Sequence, residues 1–376
     1  MAILLSCFYF WKQNYHLNKS DSHELVTARN NLATQKGNIK YYQKELKKGK
    51  VEKKNKQQLH KDLKENQTLA RENQTLIKAL ETKDWQRAYA ILIKQEKFWL
   101  NDAKRNNGSD YSLALLKRDL CQLQLLAKQH LAMENEHFPI QGGFFVLFMM
   151  QEVLPPLTIL AAIFILTKLY SAGYYERMRL GNLLPQKQLV FTEFTTGLMI
   201  TFAYFLLIFL LVFLLPSIFF GTGNLNYPIT GMNPGAKEYT FTPMYQLFLP
   251  ILGIAFLSFA FITGAVLLIV QLLKNRLLAL FAAVLLLGGG MVLPQYVVAV
   301  RNLAQFLPMS YFFALQPVDG MFGISNAYVF TDESQLVTYP QVNFSNGLIV
   351  LIIGTAVLLF LNQLLAKRIQ AGRKIK

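Results

Sequence analysis

The sequence predicts an all-α polytopic membrane protein with an additional polar helical domain, and three features lead to this fold class. Hydrophobic residues make up 53% of the 376 residues and gather in long blocks. Five of these blocks hold about 20 residues, the length at which a helix crosses roughly 30 Å of hydrocarbon. Between them, cationic and cation-poor loops alternate, whereas residues 17–142 are rich in Lys, Glu, Gln and Asn.

The apolar blocks define a predicted transmembrane domain over residues 143–376 with five clear spans. The predicted spans are Phe144 to Leu169, Leu189 to Leu215, Tyr245 to Leu272, Leu277 to Ala299 and Gly347 to Ala366. A shorter apolar stretch, Met1 to Trp11, lacks the small-residue cleavage site of a signal peptide. We interpret residues 1–16 as part of a truncated first span, so that six spans are expected.

The distribution of Lys and Arg in the short loops predicts the orientation of the chain. Cations are frequent in residues 168–187, between the third and fourth clear spans, and in the C-terminal tail, but rare in residues 221–244 and 300–346. Cytoplasmic loops retain cations, whereas long domains cross the membrane regardless of their charge. We therefore expect a multi-pass plasma-membrane protein with a cytoplasmic C-terminus and an extracytoplasmic domain at residues 17–142.

The polar domain has helical patterning and a short heptad duplication. The segment Glu65–Arg71 is repeated closely as Glu72–Lys78, which places Leu69 and Leu76 on one apolar stripe. This pattern predicts a coiled-coil seam. Two further amphipathic segments, 84–103 and 111–133, are separated by an Asn-Asn-Gly-Ser breaker, which favours an antiparallel helical hairpin.

Nothing in the sequence indicates catalysis. His130, Glu134 and His137 have the spacing of one helix face, but isolated residues of this kind on a solvated helix seldom bind metal, and no metal site is predicted. The chain has no Walker phosphate loop, no Gly-x-Ser-x-Gly elbow and no His-Glu-x-x-His motif, so we predict no enzyme and no cofactor in this chain. The net charge of +16 is assigned to anionic membrane lipids and not to nucleic acid.

One loop resembles a known family. The segment from Tyr174 to Leu198 contains a Glu-Arg pair, a glycine and a Leu-Leu-Pro stretch before a span, and so is similar to the cytoplasmic loop of ABC-2 type permeases. The Pro-Met-Ser-Tyr run from Pro308 to Tyr311 resembles the stretch within the short re-entrant helices that precede the last span in that family. The order of a span, a large external domain and five further spans also agrees with a six-span ABC-2 type bundle.

The resemblance implies a function and a set of partners. The chain would be the permease subunit of an ATP-driven ABC exporter of a peptide, lipid or other amphipathic substrate, or would confer immunity to one. It would pair with an ABC ATPase that holds ATP and Mg, and with a second permease copy or a related permease. Within a cytoplasmic loop at 172–188, a short coupling helix would dock on the ATPase through Tyr175, Glu176, Arg177, Met178, Arg179, Leu180, Gly181 and Asn182.

Other interpretations stay open from the sequence. Retention of a positive loop in the cytoplasm explains Arg177 and Arg179 equally well. An ion-coupled carrier and a membrane-anchored coiled-coil sensor or scaffold are the alternative functions. The region 300–346 is predicted to be external and re-entrant. Proline and glycine clusters within spans mark kinks or close helix contacts, and the candidate hinge residues are Pro155, Pro156, Gly288, Gly289, Gly290 and Pro294. The aromatic residues of the spans are expected to face mostly lipid.

Overall fold

A computed structural model of the chain shows two compact units, which we describe separately. The first combines Met1–Lys12 with Ile140–Lys376, and the second is Gln13–Pro139. The domain limits predicted from the sequence, at residues 16 and 142, stay a prediction. The residues that the structure describes are 2–18, 23–47, 53–135, 138–180, 186–233, 238–320 and 341–373.

The chain begins with helix α1 (Ala2–Asn18), whose residues are shared between the two units. In the first unit, the indole of Trp11 donates a hydrogen bond to the carbonyl of Ile140 at 3.4 Å, and its ring packs against Phe220. In the second unit, the Asn14 amide donates to the carbonyl of Pro139 at 3.2 Å. Helix α1 is not among the helices long and apolar enough to cross a membrane. The truncated first span therefore stays a prediction.

Four helices build the second unit, and each packs on the next. They are α2 (His23–Lys47), α3 (Lys53–Glu81), α4 (Trp85–Arg105) and α5 (Asp110–Gln129). The apolar stripe of α3 faces α2, because Leu76 and Leu80 lie in one buried cluster with Leu25 and Ala28. The heptad stripe thus pairs two helices of the same chain. A regular coiled coil stays a prediction.

The turns of this unit follow the capping chemistry in the sequence. The Asp84 carboxylate accepts a hydrogen bond from the backbone N–H of Arg87 and caps α4. At the other end, α4 stops before Asn106, and the Ser109 hydroxyl caps α5 through the N–H of Ser112. The predicted breaker between the two amphipathic segments is therefore confirmed as a helix-to-helix turn.

Within its described residues, the first unit contains nine further α-helices and one β-hairpin. In chain order its elements are α6 (Gly142–Glu152), α7 (Leu154–Leu180), α8 (Gln186–Phe220), β1 (Pro228–Asn233), β2 (Glu238–Pro243), α9 (Met244–Leu273), α10 (Arg276–Ala283), α11 (Gly289–Tyr296), α12 (Val298–Arg301), α13 (Leu315–Asp319) and α14 (Phe344–Arg373). Five stretches are long and apolar enough to cross a membrane: Leu154–Ser171, Gln188–Phe220, Met244–Leu273, Arg276–Pro294 and Phe344–Arg368. The prediction of five clear spans is confirmed in length and composition.

Helix α9 forms the centre of this unit. It packs against α7, α8, α10 and α14, and 72% of its apolar stretch is buried, compared with 11% for α14. The aromatic residues of α8 face α9 and not only lipid, which corrects the expectation from sequence. Phe202 meets Phe256 edge to face at 5.0 Å, and Phe205 lies 5.2 Å from Phe259. Aromatic pairs at these distances gain packing energy that contact with lipid tails would not supply.

Two of the predicted spans are interrupted. The first clear one breaks at Val153, where α6 ends and α7 begins. Pro155 and Pro156 occupy the first turn of α7, a position where the missing N–H costs nothing because no acceptor faces it. The fourth passes through a π-helical turn, Val284–Gly288, and its last helix ends at Tyr296, not at Ala299.

The hairpin is a feature that the sequence analysis did not predict. Strands β1 and β2 pair antiparallel, with Thr230 opposite Phe241 and Met232 opposite Tyr239. A signal was present, because Tyr239, Thr240, Phe241 and Thr242 follow an Asn-Pro-Gly run that begins at Asn233. Apart from this hairpin, the described residues agree with the predicted all-α class.

Candidate functional site

The predicted ATPase-coupling segment lies at the C-terminal end of α7. The apolar stretch of this helix ends at Ser171, but the helix continues to Leu180. It thus includes Tyr175, Glu176, Arg177, Met178, Arg179 and Leu180, whereas Gly181 and Asn182 lie outside the described residues. Since α8 begins at Gln186, most of the predicted loop 172–188 is helical. The separate coupling helix expected from the resemblance stays a prediction.

The predicted re-entrant residues form a short buried turn. Residues Pro308–Tyr311 make one turn of 3-10 helix, which we call the Tyr311 turn. Tyr311 is fully buried, and its hydroxyl donates a hydrogen bond to the carbonyl of Gln305 at 2.8 Å. The Tyr311 carbonyl accepts a weak bond from the Ser258 hydroxyl of α9 at 3.4 Å. Short helical turns agree with the prediction, and their re-entrant placement stays a prediction.

Glycines of α14 let this turn approach the helix closely. A Cβ added at Gly347 would lie 2.7 Å from Cδ1 of Tyr311, and one at Gly354 would lie 3.4 Å from Cγ of Pro308. Any larger side chain at Gly347 would push the tyrosine ring away. The Tyr311 turn is therefore held between α9 and α14.

A predicted hinge glycine contacts the same turn. A Cβ at Gly290 would lie 3.1 Å from Cγ of Met309, whereas Gly289 has nothing within 4 Å. The π-helical turn Val284–Gly288 comes directly before these glycines, and Pro294 lies inside the short helix that follows. Single π-turns inside α-helices are rare and cluster at functional sites. Four of the six hinge candidates therefore lie in one irregular segment, while Pro155 and Pro156 begin α7.

A line of buried polar side chains between α9 and α14 was missed by the sequence analysis. Asn362 is fully buried, and its amide donates hydrogen bonds to the carbonyls of Gly264, at 3.0 Å, and Leu358. Three side-chain oxygens, of Asn362, Thr263 and Gln271, are buried without a partner among the described residues. Asn362 is a single amide within a long apolar block, and this pattern could have predicted a contact between helices.

Among these buried groups, Asn362 joins α14 to α9, and none carries a charge. Amides and hydroxyls can donate and accept hydrogen bonds, but they do not exchange protons near neutral pH. Helix α9 contains no Asp, Glu, Lys, Arg or His, so it offers no charged side chain as a ligand for an ion.

In the second unit, a groove of about 590 Å³ lies where α3 meets α4. It is lined by Arg71, Gln74, Thr75, Lys78, Ala79, Thr82, Asp84 and Arg87. A smaller pocket of about 250 Å³ lies on the other side of Asp84 and contains His130, whose ring contacts the Gln86 amide. Within the described residues no three metal-ligating side chains come together, and His137 lies outside them.

Two titratable groups of the second unit are perturbed by burial. Desolvation raises the pKa of Glu96, the negative charge of Asp119 raises it further, and Arg118 opposes the shift. Burial also raises the pKa of Tyr89, whose hydroxyl donates to the carbonyl of Leu131 at 2.8 Å. Both groups lie inside the α4–α5 hairpin and outside the groove. Their protonation states therefore affect the stability of the fold, and the two groups do not form a reactive site.

Comparison with known proteins adds no constraint on function. The chain matches no family model, no curated protein and no solved structure. Function is therefore inferred from the arrangement of the chain's own residues.

Proposed function

We propose that this chain is the permease subunit of an ATP-driven transporter of the ABC-2 type in a bacterial plasma membrane. It pairs with an ABC ATPase that binds ATP and Mg, and with a second permease copy or a related permease. Its substrate is a peptide, a lipid or another amphipathic molecule that is exported or to which it confers immunity. In this topology the C-terminus is cytoplasmic and the second unit is extracytoplasmic.

The observation that carries this proposal is the composition of α9. Gradient-driven carriers usually keep ionisable side chains near the middle of the bilayer to bind the coupling ion. Helix α9 is the most enclosed of the five apolar helices and holds no such side chain. This composition favours a partner ATPase over an ion gradient as the source of the driving energy.

The extension of α7 supplies a route for that energy. Residues beyond Ser171 stay helical to Leu180, and α7 packs directly against α9. A helix moves as a rigid rod over a few turns, so a displacement of its end reaches the helix that it contacts. The extension combines Glu176, Arg177 and Arg179 with apolar Met178 and Leu180, a composition suited to a mixed polar and apolar docking surface.

The test is affinity purification of the full-length protein from its native membrane, followed by mass spectrometry and an ATPase assay. The variant exchanges the charges of one pair, Glu176→Lys with Arg177→Glu, and keeps the net charge. The matched control makes the same exchange at two exposed residues one turn apart on α3, Lys61→Glu with Glu65→Lys.

We expect a Walker-type ATPase to copurify with the wild type and with the α3 control. The α7 variant should copurify about one tenth of the wild-type amount of ATPase or less. Misplaced charges at an interface cost more than 1.4 kcal/mol, which is about tenfold in affinity. Stable purification without any ATPase, or equal recovery from both variants, would reject the proposal. Transport that persists without an ATPase would instead favour an ion-coupled carrier.

A further inference from the structure

Three cations line the groove between α3 and α4. Arg71 and Lys78 come from α3, and Arg87 comes from the first turn of α4. All three side chains are exposed, so the groove is open to solvent and to a ligand. Neutral hydrogen-bonding groups lie between them, namely Gln74, Thr75 and Thr82.

The carboxylates nearest to these cations are engaged elsewhere. Glu72 forms an ion pair with Lys94 of α4, and Glu81 forms one with Arg29 of α2 at 2.8 Å. Asp84 lines the groove, but its carboxylate accepts the backbone N–H that caps α4. Glu72 and Glu81 therefore serve the packing of the helices, whereas Asp84 keeps its charge, so three cations and one carboxylate line the groove.

None of the ion pairs among the described residues includes Arg71, Lys78 or Arg87. Three like charges around one concavity repel each other, and an anion bound between them relieves that repulsion. The second unit as a whole is also basic, with 24 Lys and Arg against 15 Asp and Glu in residues 13–139. The groove is thus a concave, positively charged site within a positively charged unit.

The charge continues in a line beyond the groove. Lys64, Arg71 and Lys78 follow one another at intervals of seven residues on α3. Seven residues advance a helix by about 10.5 Å and return nearly to the same face. A single small anion would contact one of these cations, whereas an extended chain of anions would contact all of them.

The lining selects among extended anions. It contains no aromatic side chain, and Ala79 is its one apolar residue. The bases of single-stranded nucleic acid bind by stacking on aromatic rings, and peptides need pockets for their side chains. The lining of this groove therefore does not favour either ligand. Guanidinium groups such as those of Arg71 and Arg87 bind phosphate oxygens in a two-pronged geometry.

We propose that this groove binds a linear phosphodiester polyanion with a polyol backbone. Its phosphates contact Arg71, Lys78 and Arg87, and the chain continues along α3 toward Lys64. The Thr75 and Thr82 hydroxyls donate to backbone carbonyls of α3 and so accept hydrogen bonds from the polyol, whereas the Gln74 amide can donate or accept them. This inference does not rest on the proposed transport function, because it concerns the second unit alone.

The experiment measures binding of fluorescent poly(glycerol phosphate) to the full-length protein in detergent at several salt concentrations. The groove variant combines Arg71→Gln, Lys78→Gln and Arg87→Gln. The control variant removes the same number of charges from exposed positions of α2, with Lys36→Gln, Lys40→Gln and Lys44→Gln. Far-UV circular dichroism establishes that both variants keep their helices.

We expect the groove variant to bind at least about tenfold more weakly, while the control loses less than about threefold. The slope of log affinity against log salt should become shallower by about two in the groove variant, since three phosphate contacts each release about 0.7 counterion. Equal losses in the two variants, or no binding by the wild type, would overturn the proposal.

Further probes separate the ligand classes. Inorganic phosphate, poly-glutamate, single-stranded DNA and anionic lipid vesicles are offered as competitors at matched anion concentration. Weak competition by all four supports the assignment. Full competition by inorganic phosphate would overturn the linear polymer, and full competition by any other probe would overturn the phosphodiester polyol. Copurification of an ATPase is measured in a separate experiment. A negative result in the binding experiment therefore leaves the proposed transport function unaffected, and a negative copurification leaves the proposed polyanion site unaffected.

Discussion

Two helices of nearly equal length are buried in opposite ways. Helix α3 has 29 residues and hides one apolar stripe against α2, with charged residues on its other sides. Helix α9 has 30 residues, is apolar on every side and packs against α7, α8, α10, α13 and α14. In water, burial of apolar surface decides which side of a helix faces its partner. In lipid every side is equally apolar, so close packing and hydrogen bonds decide instead.

The contrast shows what holds each unit together. In the second unit, the stabilising side chains are large and apolar, such as Leu76 and Leu80. In the first, the contacts of α9 with α14 depend on small residues and on one amide, since Gly264 lies against Leu358 and accepts a bond from Asn362. Substitutions should therefore act through lost burial in α3 and through steric overlap or lost hydrogen bonds around α9.

The largest effect is expected from Leu76→Ala in α3. Leu76 is 1% exposed, and truncating a buried leucine leaves a cavity that costs about 2–5 kcal/mol. Urea unfolding of the full-length protein, followed by far-UV circular dichroism, should show an early transition of the second unit. The control Val26→Ala removes methyl groups from an exposed site of α2 and should shift the midpoint little. Equal shifts would mean that the stripe is not the core.

A smaller effect is expected from Gly290→Val, paired with Gly289→Val. A side chain at position 290 meets Met309, which must move, whereas position 289 is open. Overpacking of this kind costs about 1–3 kcal/mol, so the thermal midpoint of Gly290→Val in detergent should fall clearly below that of Gly289→Val. If the two variants unfold together, the helix propensity of valine explains both and the contact with the Tyr311 turn is unimportant.

Loss of the amide between α9 and α14 is expected to cost less again. Asn362→Leu removes the bond to the Gly264 carbonyl, and interhelical hydrogen bonds in membranes contribute about 1 kcal/mol. Thermal unfolding in detergent measures the shift, with Leu361→Ala at the exposed neighbouring position as the control. A stabilised Asn362→Leu would show that the unpartnered Oδ1 of this amide costs more than its hydrogen bonds return.

The smallest effect is a pH dependence in the second unit. The pKa of Glu96 is raised by burial and by Asp119, so the folded state holds this proton more tightly than the unfolded state. Stability from this group is complete below the ordinary pKa of 4.5 and is lost as the pH rises through the raised pKa. Glu96→Gln should therefore raise the urea midpoint at neutral pH.

The gain from Glu96→Gln should shrink as the pH falls and disappear below the ordinary pKa of 4.5, where wild-type Glu96 is protonated in both states. Glu65→Gln, at an exposed position of α3, controls for the change in net charge. A gain that stays constant across this pH range would assign the effect to packing and not to the carboxylate charge.

The sequence analysis predicted the number of long apolar helices better than the interruptions within them. Five clear spans were expected and five apolar stretches are present, because hydrophobic length is a property of local composition. The candidate hinge residues Pro155 and Gly288 lie at the break after α6 and in the π-helical turn, but the form of each interruption was not predicted, since a leucine-rich block looks the same whether its helix is regular or interrupted. The hairpin was missed because its two six-residue strands form no apolar block.

In the candidate sites too, single residues could be chosen from the sequence, but the contacts between them could not. Pro308, Tyr311 and Gly290 were chosen separately from the sequence, and the fold brings Gly290 to Met309 beside them. The basic groove was not predicted, although its cations were visible, because Arg87 comes from a different helix than Arg71 and Lys78. The docking role of Glu176 and Arg177 stays a prediction from the resemblance.

The sequence by itself determined the class of the protein, the number of long apolar helices and the apolar stripe of α3. These features are encoded within one helix, in its composition and periodicity. Tertiary structure alone decided that α9 is the central helix, that Tyr311 packs against Gly347, and that three cations surround one groove. Each of those depends on which residues meet across different helices, and the local pattern does not specify such contacts when a helix is apolar on all sides or charged on most of them.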